Sequence, residues 1–339
     1  MTPAVLICDD SNLARKQLAR ILPQQWQAAI QFAGHGADAL ATLKKQPIDW
    51  LFLDLNMPVM DGYQVLAELQ KLQLPLQIVV VSGDIQPEAH QRVMAMGARA
   101  FLKKPVDPQQ LAALLQSEVA PASERSKVVT PPWASDLQQL DPQLRDVFQE
   151  ITNVAMGQAG DLLARLLQVF VKLPIPNVNL IEVSELTMAL ASIAPDSQTS
   201  GICQGFIGSG IAGEALLILT DSSFSDIARL LNYQGELTTA VELELLMDIA
   251  NILIGAVLKG IAQQLDISFS QGHPVVLGQH APVSELIKAN AKRWRKTLTI
   301  ELSYGIEGFD IHCDLLLLFT EDSLKTFRYK LAFLLDDAE

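Results

Sequence analysis

Between Val5 and about Glu118, five short and continuously apolar runs each lead into a helical pattern. They are VLIC into SNLARKQLARIL, AIQFA into GADALATLKK, WLFLD into a helix through YQVLAELQKL, QIVVVS into PEAHQRVMAMG, and RAFLK into PQQLAALLQS. Strands without polar alternation are buried on both faces, and an alternating series of strands and helices puts them side by side and parallel. The segment therefore predicts an α/β domain, a doubly wound five-stranded parallel sheet over residues 1–120. The pattern then breaks at APASERSKVVTPPWASD, which is rich in Pro, Ser and Ala and has no periodicity, so residues 121–137 read as a flexible linker.

From residue 138 to residue 339 the pattern is different: long helices separated by strand runs such as EALLILT, PVVLG, TLTIELSYG and DIHCDLLLLF. This predicts an α+β domain. An internal repeat organises it. Asp146, Glu150, Ile151, Asn153 and Gly157 match Glu244, Asp248, Ile249, Asn251 and Gly255 at a constant offset of 98. Both copies lie inside helical periodicity, which implies two long helices related by a pseudo-twofold axis and carrying the same polar pair.

Charge narrows the function. The chain has a net charge of -13, and residues 1–118 hold 10 basic and 11 acidic side chains, so nearly all of the excess lies in the second part. Such a surface repels phosphate backbones and anionic lipids, which argues against nucleic acid and membrane partners. The longest pure apolar runs, Leu315 to Phe319 among them, are far below the roughly 20 residues a bilayer requires. Three scattered cysteines, Cys8, Cys203 and Cys313, offer neither a disulfide framework nor metal-ligand spacing. They read as buried thiols in a reducing, cytoplasmic setting. The five histidines, His35, His90, His273, His280 and His312, show no ligand spacing and are assigned no role.

In open parallel sheets ligands bind beyond the carboxyl ends of the strands. The polar residues fall there: Asp9 and Asp10 after the first strand, Asp54 after the third, Ser82 at the end of the fourth and Lys104 after the fifth. Three crowded carboxylates repel one another, a conflict that a hard dication such as Mg²⁺ removes. Lys104 and Ser82 supply the charge and hydroxyl that would hold a phosphoryl group on a carboxylate. Helix capping by Asp9 and Asp10, turn formation by Asp61 and Gly62 and core packing of Phe101 explain these residues one at a time, but not the set.

The Asp pair in LICDDS, the run DLNMPVMDG from Asp54 to Gly62, Ser82 after VVV, and Lys104–Pro105 after Phe101 together resemble the response-regulator receiver family, across residues 3–118. The resemblance implies a flavodoxin-like fold with Asp54 as phosphoacceptor, charged by a sensor histidine kinase. It implies Mg²⁺ held by Asp10, Asp54 and the backbone carbonyl of Asn56, with Asp9 nearby through water. Ser82 and Lys104 would bind phosphoryl oxygens, and Phe101 would be the aromatic switch.

Glu150 and Asn153 are three apart on a helix, so both act on one face, as do Asp248 and Asn251. A carboxamide is a poor base but holds water well, and phosphoryl transfer through a loose transition state needs positioning more than base strength. Glycine four residues after each Asn permits close approach of another backbone, either a neighbouring helix or a docked partner. The duplicated pair with its following glycine resembles the CheC, CheX and FliY family of chemotaxis phosphatases over about residues 138–335. That resemblance implies an Asn that orients the hydrolytic water, a Glu that pairs with a receiver's lysine, and a phosphorylated receiver protein as substrate. Asp248, one methylene shorter than the family's Glu, predicts a weaker second site. The competing reading is a binding module with a silent second domain, and a homodimer fits either.

Overall fold

A computed structural model describes residues 3–23, 26–116, 142–182, 198–282 and 296–336. The linker expected at 121–137 lies outside them. The chain divides into two compact units, the second spanning Leu137–Ala332.

In the first unit, β1 (Ala4–Cys8), β2 (Ala29–Ala33), β3 (Trp50–Leu53), β4 (Gln77–Ser82) and β5 (Ala100–Lys103) alternate with α1 (Asn12–Ile21), α2 (Gly36–Lys45), α3 (Gly62–Leu72), α4 (Pro87–Ala95) and α5 (Pro108–Gln116). The sheet order is β2-β1-β3-β4-β5, with every pairing parallel. Because successive strand residues face opposite ways, Leu6, Cys8, Leu51, Leu53 and Val80 pack with α2, α3 and α4, while Val5, Ile7, Phe52, Val79 and Val81 pack with α1 and α5. Two cores explain the uninterrupted apolar strands. The order reverses at β1, whose neighbours are β2 and β3, so their carboxyl ends frame a crevice.

The second unit comprises α6 (Pro142–Leu167), β6 (Val171–Lys172), β7 (Asn177–Glu182), β8 (Thr199–Gly208), β9 (Ile211–Thr220) and α7 (Ser223–Leu230), then α8 (Thr239–Gln264), β10 (Ser270–Gln271), β11 (Val275–Ala281), β12 (Lys296–Ile306), β13 (His312–Phe319) and α9 (Glu321–Asp336). Among the described residues, the order helix, four strands, helix occurs twice. The strands form one sheet, ordered β10-β8-β9-β13-β12-β6, with β11 also on β8 and β7 also on β12, all antiparallel. Each half thus lends its two short strands to the other half: β6 and β7 pair with β12, whereas β10 and β11 pair with β8. The β8–β9 hairpin closes through Ser209 and Gly210, both at positive φ, the two-residue turn whose twist matches the flanking strands.

Helices α6 and α8, each 26 residues long, pack against one another. Helix α8 is long and apolar enough to cross a membrane by length and composition alone, although most of it is buried inside the protein. The close approach does not lie at the second repeated glycine, Gly255. Around it a Cβ would meet nothing within 4 Å among the described residues, whereas at Gly260 it would come within 2.7 Å of the Ala155 Cα. Gln264 Nε2 reinforces the crossing by donating to the Ile151 carbonyl at 2.8 Å. Gly260→Val is expected to force the helices apart and cost about 3 kcal/mol or more, because the obstacle is backbone rather than a movable side chain. Urea unfolding of the full chain should show it as a lowered midpoint for the second unit.

A bulged stretch of β11 places His280 at φ 52°, with Nδ1 2.7 Å from Asp221 Oδ2 and Nε2 3.2 Å from Glu242 Oε2 in the first turn of α8. Ser200 Oγ donates to the other Asp221 oxygen at 2.9 Å. The hydrogen bond to Asp221, then the nearby carboxylate charges, raise the His280 pKa above its ordinary 6.5. A group that binds its proton more tightly when folded stabilises the fold fully below its unfolded pKa and loses that contribution as pH rises through its folded value. The side chain is 43% exposed, so solvent screens the effect. His280→Gln should therefore flatten a modest fall in unfolding midpoint that the unmodified protein shows as pH rises above 6.5.

Candidate functional site

The helix after β1 is capped by Ser11, whose side chain accepts from Ala14 N, and Asp9 Oδ1 accepts from Ser11 N. Both carboxylates stand at the crevice. Arg15, which the sequence reading passed over, donates from Nη1 to the carbonyls of Asp9 and Asp10 and ties the acid pair to α1.

Asp54 follows β3 and is 2% exposed. Its Oδ1 accepts from Leu55 N at 2.7 Å, which leaves Oδ2 directed at Lys104 Nζ, 3.3 Å away. The loop after it is held by Asp61, which caps α3 in a reciprocal box with Gln64. It is held also by Gly62, where a Cβ would lie 2.3 Å from the Asp54 carbonyl oxygen. Only glycine lets this backbone close on itself. Lys104 is buried, and its Nζ also lies 2.7 Å from Asp9 Oδ2.

One oxygen from each of Asp9, Asp10 and Asp54 falls within 4.8 Å of the others. Hard oxygens so grouped suit a divalent cation of the Mg²⁺ class. Asn56 is half-buried just beyond. Ser82, fully buried, accepts from Asp84 N at 3.1 Å. Asp84 in turn accepts from Gln86 N, so this loop is ordered by a buried acid for which the sequence held no separate signal. Phe101 is half-buried against the core, its ring edge-on to His90 at 5.5 Å. The structure thus brings Asp9, Asp10, Asp54 and Lys104 together at one edge of the sheet. Ser82 and Phe101 lie on the neighbouring strands β4 and β5.

In the second unit the repeated pairs meet different surroundings. Glu150 and Asn153 on α6 are 8% and 6% exposed, while Asp248 and Asn251 on α8 lie open. Asn153 Oδ1 is buried and finds no hydrogen-bond partner among the described residues. An orphaned acceptor of this kind costs about 1–3 kcal/mol. Stability does not explain the residue. The three cysteines form no disulfide and are buried as expected, and burial pushes the Cys8 and Cys313 thiols well above their ordinary range, which leaves those two inert.

Comparison with known proteins finds a family match for the first part of the chain. Residues 5–116 match the response regulator receiver domain family. Sensor histidine kinase RcsC of Salmonella typhimurium is 36% identical over 102 residues, which is 30% of this chain and only 11% of that protein's length. The solved structure of Vibrio cholerae CheY4 is 30% identical and fully covered by 35% of this chain, with a TM-score of 0.33. Thermotoga maritima FliY is 17% identical with 98% of its chain covered by 57% of this one, at a TM-score of 0.41, too distant to carry an argument. With its parallel sheet, its acidic crevice and its buried lysine, the segment from residue 5 to residue 116 is a response regulator receiver domain, a module of two-component signalling.

Proposed function

We propose that this is a response regulator, phosphorylated on Asp54 by a sensor histidine kinase, whose second unit is a CheC-like phosphatase that hydrolyses phospho-aspartate on a receiver protein. The carboxylate Oδ2 of Asp54 attacks the phosphorus of a phosphohistidine, the P–N bond breaks, and the imidazole leaves with a proton. Lys104, already 3.3 Å from Oδ2, neutralises charge on the transferred oxygens, with the Ser82 hydroxyl one strand away. Mg²⁺ bound by Asp10, Asp54 and the Asn56 carbonyl, with Asp9 nearby through water, would supply the remaining positive charge that phosphoryl transfer needs.

In hydrolysis an Asn carboxamide holds a water in line with the phosphorus, the P–O bond to the receiver's aspartate breaks, and inorganic phosphate leaves. The neighbouring carboxylate grips the receiver's lysine. The reading is carried by one observation: the acid and Asn pair recurs at matching places in two 26-residue helices of a twice-repeated fold, and in one copy its carboxamide oxygen is an uncompensated buried acceptor. The burial of Glu150 and Asn153 favours a second reading, a unit that only binds a partner. Mixing the full chain with a separate phosphorylated receiver and Mg²⁺, and measuring phosphate release, separates the two. Release at the receiver's own rate leaves the binding module. The reading places the protein in the cytoplasm with a boundary near residues 121–137, acting as a monomer or homodimer.

A further inference from the structure

We infer that Arg15 is a positioning residue of the cation site: it fixes the backbone on either side of Asp10 and so aims the Asp10 carboxylate at the crevice where Mg²⁺ would bind. The inference rests on the proposed reading of the crevice of Asp9, Asp10 and Asp54 as a Mg²⁺ site. Helical side chains lean toward the helix N-terminus, which carries Arg15 back over the end of β1. Its Nη1 donates to the Asp9 carbonyl at 2.5 Å and to the Asp10 carbonyl at 3.2 Å, and its Nη2 reaches Asn12 Oδ1 at 3.4 Å.

Those two carbonyls belong to the two peptide groups that flank the Asp10 Cα. Each peptide group is planar, so holding both leaves φ and ψ of Asp10 little freedom, and the direction of its Cα–Cβ bond follows from them. One nitrogen thus sets where a carboxylate points. The other two acids are anchored by the sheet and by Lys104. Asp9 N donates to the Ala33 carbonyl at 3.1 Å, and Asp9 Oδ2 lies 2.7 Å from Lys104 Nζ. Asp54 N donates to the Cys8 carbonyl at 2.9 Å, and Asp54 Oδ2 lies 3.3 Å from the same lysine. Asp10 stands one residue beyond these sheet contacts, at the place where the two Arg15 bonds fall.

Stability does not account for an arginine here. Its Nε is buried and finds no hydrogen-bond partner among the described residues, and an unpartnered donor on a charged group is expensive to bury. Nor does charge alone account for it, because a guanidinium beside a cation site repels the cation. Both terms oppose the residue, and the aim of Asp10 is what offsets them. Groups that hold metal ligands from behind typically change metal affinity by about 10–100-fold when they are removed.

The test is the Mg²⁺ affinity of the full, unphosphorylated chain, read from displacement of bound Mn²⁺ by electron paramagnetic resonance, with urea unfolding in chelator alongside. Arg15→Met should weaken Mg²⁺ binding by about tenfold or more. Its urea midpoint for the receiver, free of metal, should stay unchanged or rise, because the orphaned Nε is gone. Arg20→Met removes the same charge from the last turn of α1 and should leave the affinity unchanged or slightly tighter. The sign decides, since loss of charge alone tightens cation binding and loss of aim weakens it. Unchanged or tighter binding in Arg15→Met overturns the inference, and so does weaker binding that comes with a lowered midpoint, which would make Arg15 a residue of the fold. Asp10→Asn reports on the underlying reading separately. Binding weakened by Asp10→Asn but not by Arg15→Met keeps the cation site and removes the role of Arg15, whereas no binding by the unmodified chain removes both.

Discussion

Asp54→Asn is expected to abolish phosphorylation of the protein outright. Incubated with Mg²⁺ and a small acyl phosphate donor, the unmodified chain should gain the mass of one phosphoryl group, and the variant should gain none. A carboxamide oxygen is not a nucleophile toward phosphorus, and Asp54 presents its Oδ2 to Lys104 from the end of the central strand β3. The variant should also fold, since it removes one negative charge from a cluster of three carboxylates and leaves Lys104 its 2.7 Å contact with Asp9. A thermal melt at least as high as that of the unmodified protein would confirm this. Chelation of the metal should suppress the mass gain in the unmodified chain as well. A full gain in Asp54→Asn would place the phosphoacceptor elsewhere.

Replacing both carboxamides, Asn153→Ala with Asn251→Ala, should bring phosphate release from a separate phosphoreceiver down to that receiver's own rate, a loss of about 10²-fold or more, the scale on which a single positioned polar group acts. The single changes divide the effect. The longer reach of Glu150 ranks Asn153 first on sequence grounds, but Asn153 is closed from solvent and Asn251 is open, so Asn251→Ala is expected to cost more. Stability moves independently of activity here. Loss of the orphaned Asn153 oxygen offsets the small cavity left behind, so Asn153→Ala should leave the urea midpoint close to unchanged. Activity retained in the double variant would move the site off these helices.

The receiver was legible because parallel strands buried on both faces write their fold in continuous apolar runs, and because its functional groups sit at the ends of those runs. Asp54, Lys104 and the Asp9 and Asp10 pair could be placed at one edge from spacing alone. Arg15 could not, since an arginine on the first turns of an amphipathic helix reads as solvent-facing until the carbonyls it reaches are known. In the second unit the two long helices were visible, but in β8 the glycines Gly201, Gly205 and Gly208 interrupt the strand-forming Thr199, Ile202, Phe206 and Ile207 and blur the signal. The two-residue strands β6 and β10 are too short to show any period. Periodicity also says which face of α8 is apolar without saying what lies opposite, so Gly260 rather than Gly255 marks the crossing for reasons only the packed helices reveal. Nor can a repeat disclose that its two copies are unequally covered.

The exchange of short strands between the halves governs how the second unit emerges during synthesis. Strands β6 and β7 end at Glu182, but the strand that completes them starts at Lys296. The gap of roughly 110 residues amounts, at about 5–20 residues per second, to a wait on the order of 6–22 s with apolar edges unpaired. Such long-range pairings are slow to close even when all partners are present. The receiver, made first and built from neighbouring strands, can finish while the second unit is still incomplete on the ribosome. Edges left open that long invite pairing with other nascent chains, and chains stopped anywhere before residue 306 would be left with such edges permanently.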